Sequence, residues 1–283
     1  AIDRLHDCDL CARYCHVDRH AGIKGAVCRT GYRARVASYG AHHGEERPLS
    51  GHAGSGTIFF SWCSLRCEFC QNWDISQRRA GREMRGTDLA VMMLELESAG
   101  CHNINLVTPS HVVAQVLEAV VIAAEAGLSL PLVYNTAGYD SPEALALLDG
   151  VIDIYMPDMK YGDSAAAKRF SHVPDYVAVN QSAVKEMHRQ VGDLALDDEG
   201  IALRGLLIRH LVLPWDAAHS QTVLEFIARE LGPGTYLNLM DQYRPCYRAD
   251  EIPELDHALG RAEFERVREI ALELGLRRLD PSG

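Results

Sequence analysis

Cys63-Ser64-Leu65-Arg66-Cys67-Glu68-Phe69-Cys70 brings three thiols together within eight residues. Three thiolates on one tight loop can hold three irons of a cubane [4Fe–4S] cluster, leaving the fourth iron without a protein ligand. An open position is what a catalytic metal site keeps and a purely structural one closes. Zinc would call for a fourth ligand, and neither His52 nor Cys101 stands at a suggestive spacing. A second set, Cys8-x2-Cys11-x3-Cys15-x12-Cys28, offers four thiolates. Four suffice to close a tetrahedral zinc site or to ligate every iron of another [4Fe–4S] cluster. The spacing leaves both open. Iron–sulfur, as an electron relay or substrate anchor, is preferred over zinc as a structural pin. His6, His16 and His20 lie nearby but are unneeded once four Cys are available.

The elements that must hold these thiols follow from the hydrophobic pattern. Residues 1–35 are Cys-rich with little periodicity, and a unit this small usually needs a metal or a neighbour to stay folded. Residues 36–56, punctuated by Gly40, Gly44, Pro48, Gly51 and Gly54, read as a connecting loop. From 57 to 283 short apolar runs alternate with helical spacing. Strands are expected at 57–62, 103–107, 130–134, 151–156, 206–213 and 236–240. Helices are expected at 89–99, 112–126, 142–148, 165–170, 177–190, 220–231 and 261–274, with Ser141 available to cap the third. The polar stretch 194–204 reads as a hairpin. Alternation of this kind implies parallel βαβ units; an open doubly wound sheet and a partial barrel both fit the pattern. In either, ligands gather at the carboxyl ends of the strands, which is where Cys63 follows its strand.

Composition sets further bounds. The chain has 283 residues and a formal net charge of −11, which disfavours broad binding to a phosphate backbone, so a nucleic-acid partner is not expected. No stretch of about 18 apolar residues reads as a membrane span. The opening residues Ala1 to Asp7 lack the basic and apolar regions of a secretion signal. Of the nine Cys, four fall within the first 28 residues and three between 63 and 70, a distribution that points to metal rather than disulfides and to a reducing cytoplasm.

The run C-x3-C-x-aromatic-C, with Phe69 in the aromatic place, resembles the signature of radical S-adenosylmethionine (SAM) enzymes. The flanks from Phe59 through Ser76 resemble the pyruvate formate-lyase activating enzyme-like branch. So do the blocks Asn103-Ile104-Asn105-Leu106-Val107-Thr108-Pro109, Tyr134 to Tyr139, Asp153 to Lys160 and Asn238 to Pro245, nearly the length of the chain. The resemblance implies a partial (β/α)6 radical SAM barrel with a small Cys-rich amino-terminal metal-binding segment. It implies a [4Fe–4S] cluster on Cys63, Cys67 and Cys70 that cleaves SAM reductively to a 5′-deoxyadenosyl radical, which abstracts hydrogen from a substrate. A protein glycine is the first candidate, and a peptide or small molecule the alternative. It also implies an electron donor such as flavodoxin or ferredoxin. From another class, a noncatalytic iron–sulfur carrier or a zinc-stabilised binding module remains open.

Carried over residue by residue, the resemblance assigns Phe69, Thr108, Asn135, Thr136, Met156, Asp158 and Lys160 to cofactor binding. Asn135, Thr136, Met156 and Asp158 match a site that holds a monovalent cation in the activating enzymes, although Asn135 stands where those carry Asp. Lys160 matches a contact to the cofactor carboxylate. Leu106-Val107-Thr108-Pro109 replaces a Gly-Gly-Glu motif, so that contact falls to backbone carbonyls or Thr108. Asp241, Gln242, Tyr243 and Arg244 follow the last strand and are candidates for substrate binding. His42-His43-Gly44-Glu45-Glu46 reads as a solvated polar loop that could also border the active-site mouth. His210 is either a satisfied core histidine or a group facing the cofactor. Cys101 is expected to pack, while Cys246 keeps a thiol role open.

Overall fold

A computed structural model describes residues 1–281. The final two residues of the expected 57–283 barrel lie outside the described residues. The amino-terminal segment opens with a 3-10 turn, Ile2–His6, and continues as tight turns to residue 33. Strand β1 (Ala34–His42) and helix α1 (Arg47–Ser50) then lead into β2 (Ser55–Phe60). The expectation of a loop over 36–56 is thus corrected: β1 pairs antiparallel with β2. It hid from the pattern because it is half-exposed and its alternation is diluted by Ala37, Ser38, Gly40 and Ala41.

Beyond the central Cys loop come α2 (Trp73–Ser76), β3 (Arg82–Met84), α3 (Gly86–Ser98), β4 (Ile104–Val107) and α4 (Val113–Glu125). They are followed by β5 (Leu132–Thr136), α5 (Pro142–Leu148), β6 (Ile154–Pro157), α6 (Ser164–Ser171) and α7 (Tyr176–Val191). The hairpin of β7 (Ala195–Leu196) with β8 (Ala202–Leu211) precedes α8 (Ser220–Phe226), β9 (Tyr236–Met240) and α9 (Arg261–Glu273). The expected helix at 220–231 divides into α8 and a π turn, Ile227–Leu231. Ser141 does cap α5, accepting from Ala144 N at 3.2 Å with Pro142 in the first turn.

Among the described residues, β2, β4, β5, β6, β8 and β9 run parallel as neighbours in that order, and β3 and β1 extend the β2 edge. No ladder joins β9 to β2 among the described residues, so the barrel is partial. The helices cover its outside, burying Leu89, Met93, Val116, Leu145, Val184 and Leu224 against the strands. Inside lies a smaller apolar group in which Leu49 of α1 meets Val133, Ile154, Met156, Leu207 and Tyr236. Helix α1 therefore closes off the interior, and the loop before it, with Glu45 and Glu46, enters beside β8 and β9. No helix among the described residues is long and apolar enough to cross a membrane.

Candidate metal and cofactor site

Cys63 follows β2 by three residues, at the carboxyl end of the parallel strands. The loop carrying it lies on the end of α6: Glu68 N donates to Phe170 O at 2.8 Å, and Ser171 Oγ donates to Cys67 Sγ at 2.9 Å. Leu65 N donates to Cys63 Sγ at 3.3 Å, and Cys70 Sγ meets Ser76 Oγ at 3.2 Å. Each thiol thus has a polar group that can hold negative charge on sulfur. Burial, reinforced by the neighbouring thiols, pushes Cys63 up to about 12, and burial pushes Cys67 up to about 11 while Lys160 draws both back. Phe69 is buried in an apolar group, with the rings of Tyr161 and Tyr243 edge-on at 6.4 and 6.0 Å. Its place in the motif is therefore also a packing anchor for the loop.

Beside this loop, at the ends of β5, β6 and β8, sits a chain of half-buried charges. Lys160 Nζ lies 2.6 Å from Asp158 Oδ2, and Arg209 Nε 2.9 Å from Asp158 Oδ1. Arg209 Nη2 donates to Asn135 Oδ1 at 2.7 Å. Burial would raise Asp158, but the Arg209 and Lys160 cations outweigh it and hold the carboxyl below its ordinary range. Arg209 also faces Glu45 at 3.9 Å and Glu46 at 4.0 Å, and Glu46 Oε1 accepts from Asn238 Nδ2 at 2.9 Å. Glu46 is only 5 % exposed, so the solvated-loop expectation for this pair is corrected. Burial raises Glu45 to about 7 against the pull of Arg209, with Glu46 adding to the rise.

The expected site residues divide accordingly. Asn135, Asp158 and Lys160 come together through Arg209, which occupies the polar side of the group matched to a monovalent cation. Met156 packs in the barrel interior. The Thr136 hydroxyl turns away, donating to Asp140 at 2.7 Å and meeting Ser110 Oγ at 2.9 Å. Thr108 takes a left-handed conformation, φ 62°, with its N–H on Asn135 O at 2.8 Å. Tyr243 is buried and donates to Leu255 O at 2.7 Å, whereas Asp241, Gln242 and Arg244 are exposed beside the Cys loop, Gln71 Nε2 reaching Gln242 O at 3.3 Å. His210 is a satisfied core histidine, 2.6 Å from Met159 O and 2.9 Å from Ser220 Oγ. Cys101 packs in the main core, and Cys246 is half-buried near Tyr243. Arg209 was given no role, although an Arg inside the apolar run 206–213 was the available signal; Glu45 and Glu46 were singled out only as a loop that could border the site, and Asn238 only as part of a matching block.

Cys8, Cys11, Cys15 and Cys28 line one small pocket with Leu10, Val17 and Arg19. Burial raises Cys11 steeply, and Cys28, Cys8 and Cys15 add to it. Arg19 Nη1 lies 3.6 Å from Cys8 Sγ and donates to His111 O at 2.8 Å. In neither Cys set are three or more His, Cys, Asp or Glu side chains drawn into metal-ligand geometry among the described residues. The donor chemistry nevertheless fits: soft sulfurs, in one set three with hydrogen-bond donors and a nearby cation, in the other four around one pocket.

No family model matches the chain. A solved structure with the same fold is that of HydG, a maturase of the [FeFe]-hydrogenase, with a TM-score of 0.53 over 77% of this chain at 10% identity. This chain spans 48% of HydG, so the likeness is one of fold: a mixed α/β partial barrel built on parallel strands. The uncharacterized protein MJ0674 of Methanocaldococcus jannaschii is 30% identical over 280 residues, covering 95% of this chain and 75% of that protein. At that identity and coverage, the chain belongs to the same family as MJ0674.

Proposed function

We propose that the chain is a radical SAM enzyme whose [4Fe–4S] cluster is held by Cys63, Cys67 and Cys70. The observation that carries this reading is the juxtaposition of three hydrogen-bonded thiols with the half-buried Lys160–Asp158–Arg209 chain at the carboxyl ends of β2, β6 and β8. When bound, the cluster and SAM supply one-electron reduction and a carbon radical able to abstract hydrogen. The protein's own part is to hold and orient. Ser171 and Leu65 N donate to sulfur, and Ser76 meets the third thiol. Lys160 offers a point cation to a carboxylate, and Asp158 fixes that cation in place. Phe69, Tyr161, Tyr176 and Tyr243 keep water from the loop.

The substrate proposed first is a protein glycine. The exposed strip Asp241, Gln242 and Arg244, together with the stacked Trp73 and Tyr247 rings at 5.6 Å, offers a polypeptide both polar and flat apolar contacts beside the Cys loop. For the amino-terminal set, an auxiliary iron–sulfur cluster is preferred over zinc. The test is anaerobic reconstitution with iron, sulfide and zinc counted, followed by reduction with SAM and assay for 5′-deoxyadenosine. Production that needs all three central Cys supports the reading. A fully loaded protein that yields none, with or without a glycine-containing peptide, overturns it in favour of a carrier or binding module.

A further inference from the structure

The charge of this acidic chain is unevenly spread. Residues 1–90 hold 13 Lys and Arg against 10 Asp and Glu, whereas the remainder holds 15 against 29. Five of the early arginines, Arg19, Arg29, Arg33, Arg35 and Arg79, line one open cleft of about 400 Å³ between the amino-terminal segment and the β1–β3 edge. Two of the five are already engaged. Arg19 is buried with its guanidinium on Gly31 O and His111 O, and Arg35 meets Glu83 at 3.0 Å. Glu83 is the one carboxylate lining the cleft among the described residues. Arg29, Arg33 and Arg79 are exposed, and no carboxylate stands within 4.0 Å of any of them among the described residues.

The cleft also touches both Cys sets. Arg19 lines it and the four-Cys pocket alike, and Arg29 and Thr30 follow Cys28 directly. Trp62, the residue before Cys63, forms part of its wall with the Arg29 guanidinium 5.2 Å over the ring. Between the sets, Arg66 donates to Val27 O, beside Cys28.

We propose that this cleft is the docking site of a small acidic electron-carrier protein. The proposal rests on the radical SAM reading, which requires a one-electron donor. In the transfer, one electron leaves the carrier's reduced iron–sulfur or flavin centre and enters an oxidised cluster of this chain. No bond forms or breaks, and the carrier ends oxidised by one electron. Three exposed cations drawn from separate segments, Arg29 after Cys28, Arg33 before β1 and Arg79 before β3, in an open cleft with one carboxylate in its wall, suit steering of a macromolecular surface. The acidic remainder of the chain would repel a nucleic acid that extended past the cleft.

The test titrates the reconstituted protein with a small acidic ferredoxin by calorimetry at low and physiological salt, and measures cluster reduction by the same ferredoxin and by dithionite. Binding should weaken with salt. Arg33→Glu/Arg79→Glu should lose about tenfold or more in affinity and slow ferredoxin reduction in parallel, because reversing rim charges acts on encounter and complementarity. Dithionite reduction should stay at the parent rate, and Arg33→Gln/Arg79→Gln should fall between. Salt-insensitive or absent ferredoxin binding overturns the proposal, as does a double reversal that binds and accepts electrons like the parent. Tighter capture of tRNA or pyrophosphate, lost in the same variant, overturns it too. Dithionite-reduced protein that makes no 5′-deoxyadenosine defeats the functional reading instead, while the calorimetric arm still reports on docking.

Discussion

Glu45→Gln should make the protein more stable at alkaline pH and leave it nearly unchanged in acid. The ordinary value for a glutamate is 4.5, and in the fold burial raises Glu45 to about 7. Between those values the native state binds the proton that the unfolded chain has released, so stability falls as pH rises. The contribution is complete below 4.5 and lost once pH has passed about 7. At about 1.4 kcal/mol per pH unit the loss is about 3 kcal/mol, an upper figure because Glu45 shares its surroundings with Glu46 and Arg209. Glutamine has the shape and charge of the protonated acid. Urea unfolding under anaerobic conditions should therefore give matching midpoints at about pH 4 and a higher midpoint for the variant at about pH 8. Parallel pH responses for parent and variant, or a variant less stable at the higher pH, would refute the assignment of a buried acid at this position.

Removing Arg209 tests the same network from its centre. Arg209→Met leaves the buried Glu46 carboxylate without a facing cation and half-buried Asp158 with Lys160 alone, and should cost about 1–3 kcal/mol in denaturant unfolding, with a loss under about 1 kcal/mol speaking against the charge chain. Gly138→Ala should destabilise by more than about 1 kcal/mol. Gly138 sits at φ 70°, and a Cβ there would press on the Asn180 amide and lie 2.5 Å from Asp158 O. Normal stability would show that this approach relaxes freely. Cys67→Ala should remove the central iron while metal on the amino-terminal set stays, and Cys11→Ala should do the reverse, as metal counting and iron–sulfur absorbance would report. Loss of both metals in either variant would mean that the two sets are not separate sites.

What was legible in the sequence follows the range of the interactions concerned. β9 matches its expected span, Tyr236–Met240, because a largely buried parallel strand is apolar at all but one of its positions, Asn238. The cap at Ser141 was equally local. β1 was lost because its residues are small and half-exposed, so only pairing with β2 identifies it. Glu45 and Glu46 carry no periodicity, and their burial depends on Arg209 and Asn238 from the far end of the barrel. The motif located the three central thiols, but their hydroxyl and backbone donors come partly from α2 and α6, which no spacing rule connects to them.

The amino-terminal segment is more than an appendage to that loop. Arg13 Nε donates to Ser64 O at 2.7 Å, inside the central Cys run, while Tyr139 OH donates back to Ala12 O at 3.1 Å. Ser141 Oγ meets Asp9 O at 3.0 Å, and Gln115 reaches Tyr32 O at 2.7 Å. Leu5 and Leu10 bury themselves against Ala114 of α4. A segment this short cannot bury enough of its own surface to order itself, so it is ordered by these contacts together with whatever its four thiols bind. A ligand that binds only the folded segment stabilises every group the segment holds in place. Metal on Cys8, Cys11, Cys15 and Cys28 would thus strengthen the Arg13–Ser64 and Arg66–Val27 contacts that brace the central loop, even if no electron ever passed between the two sets.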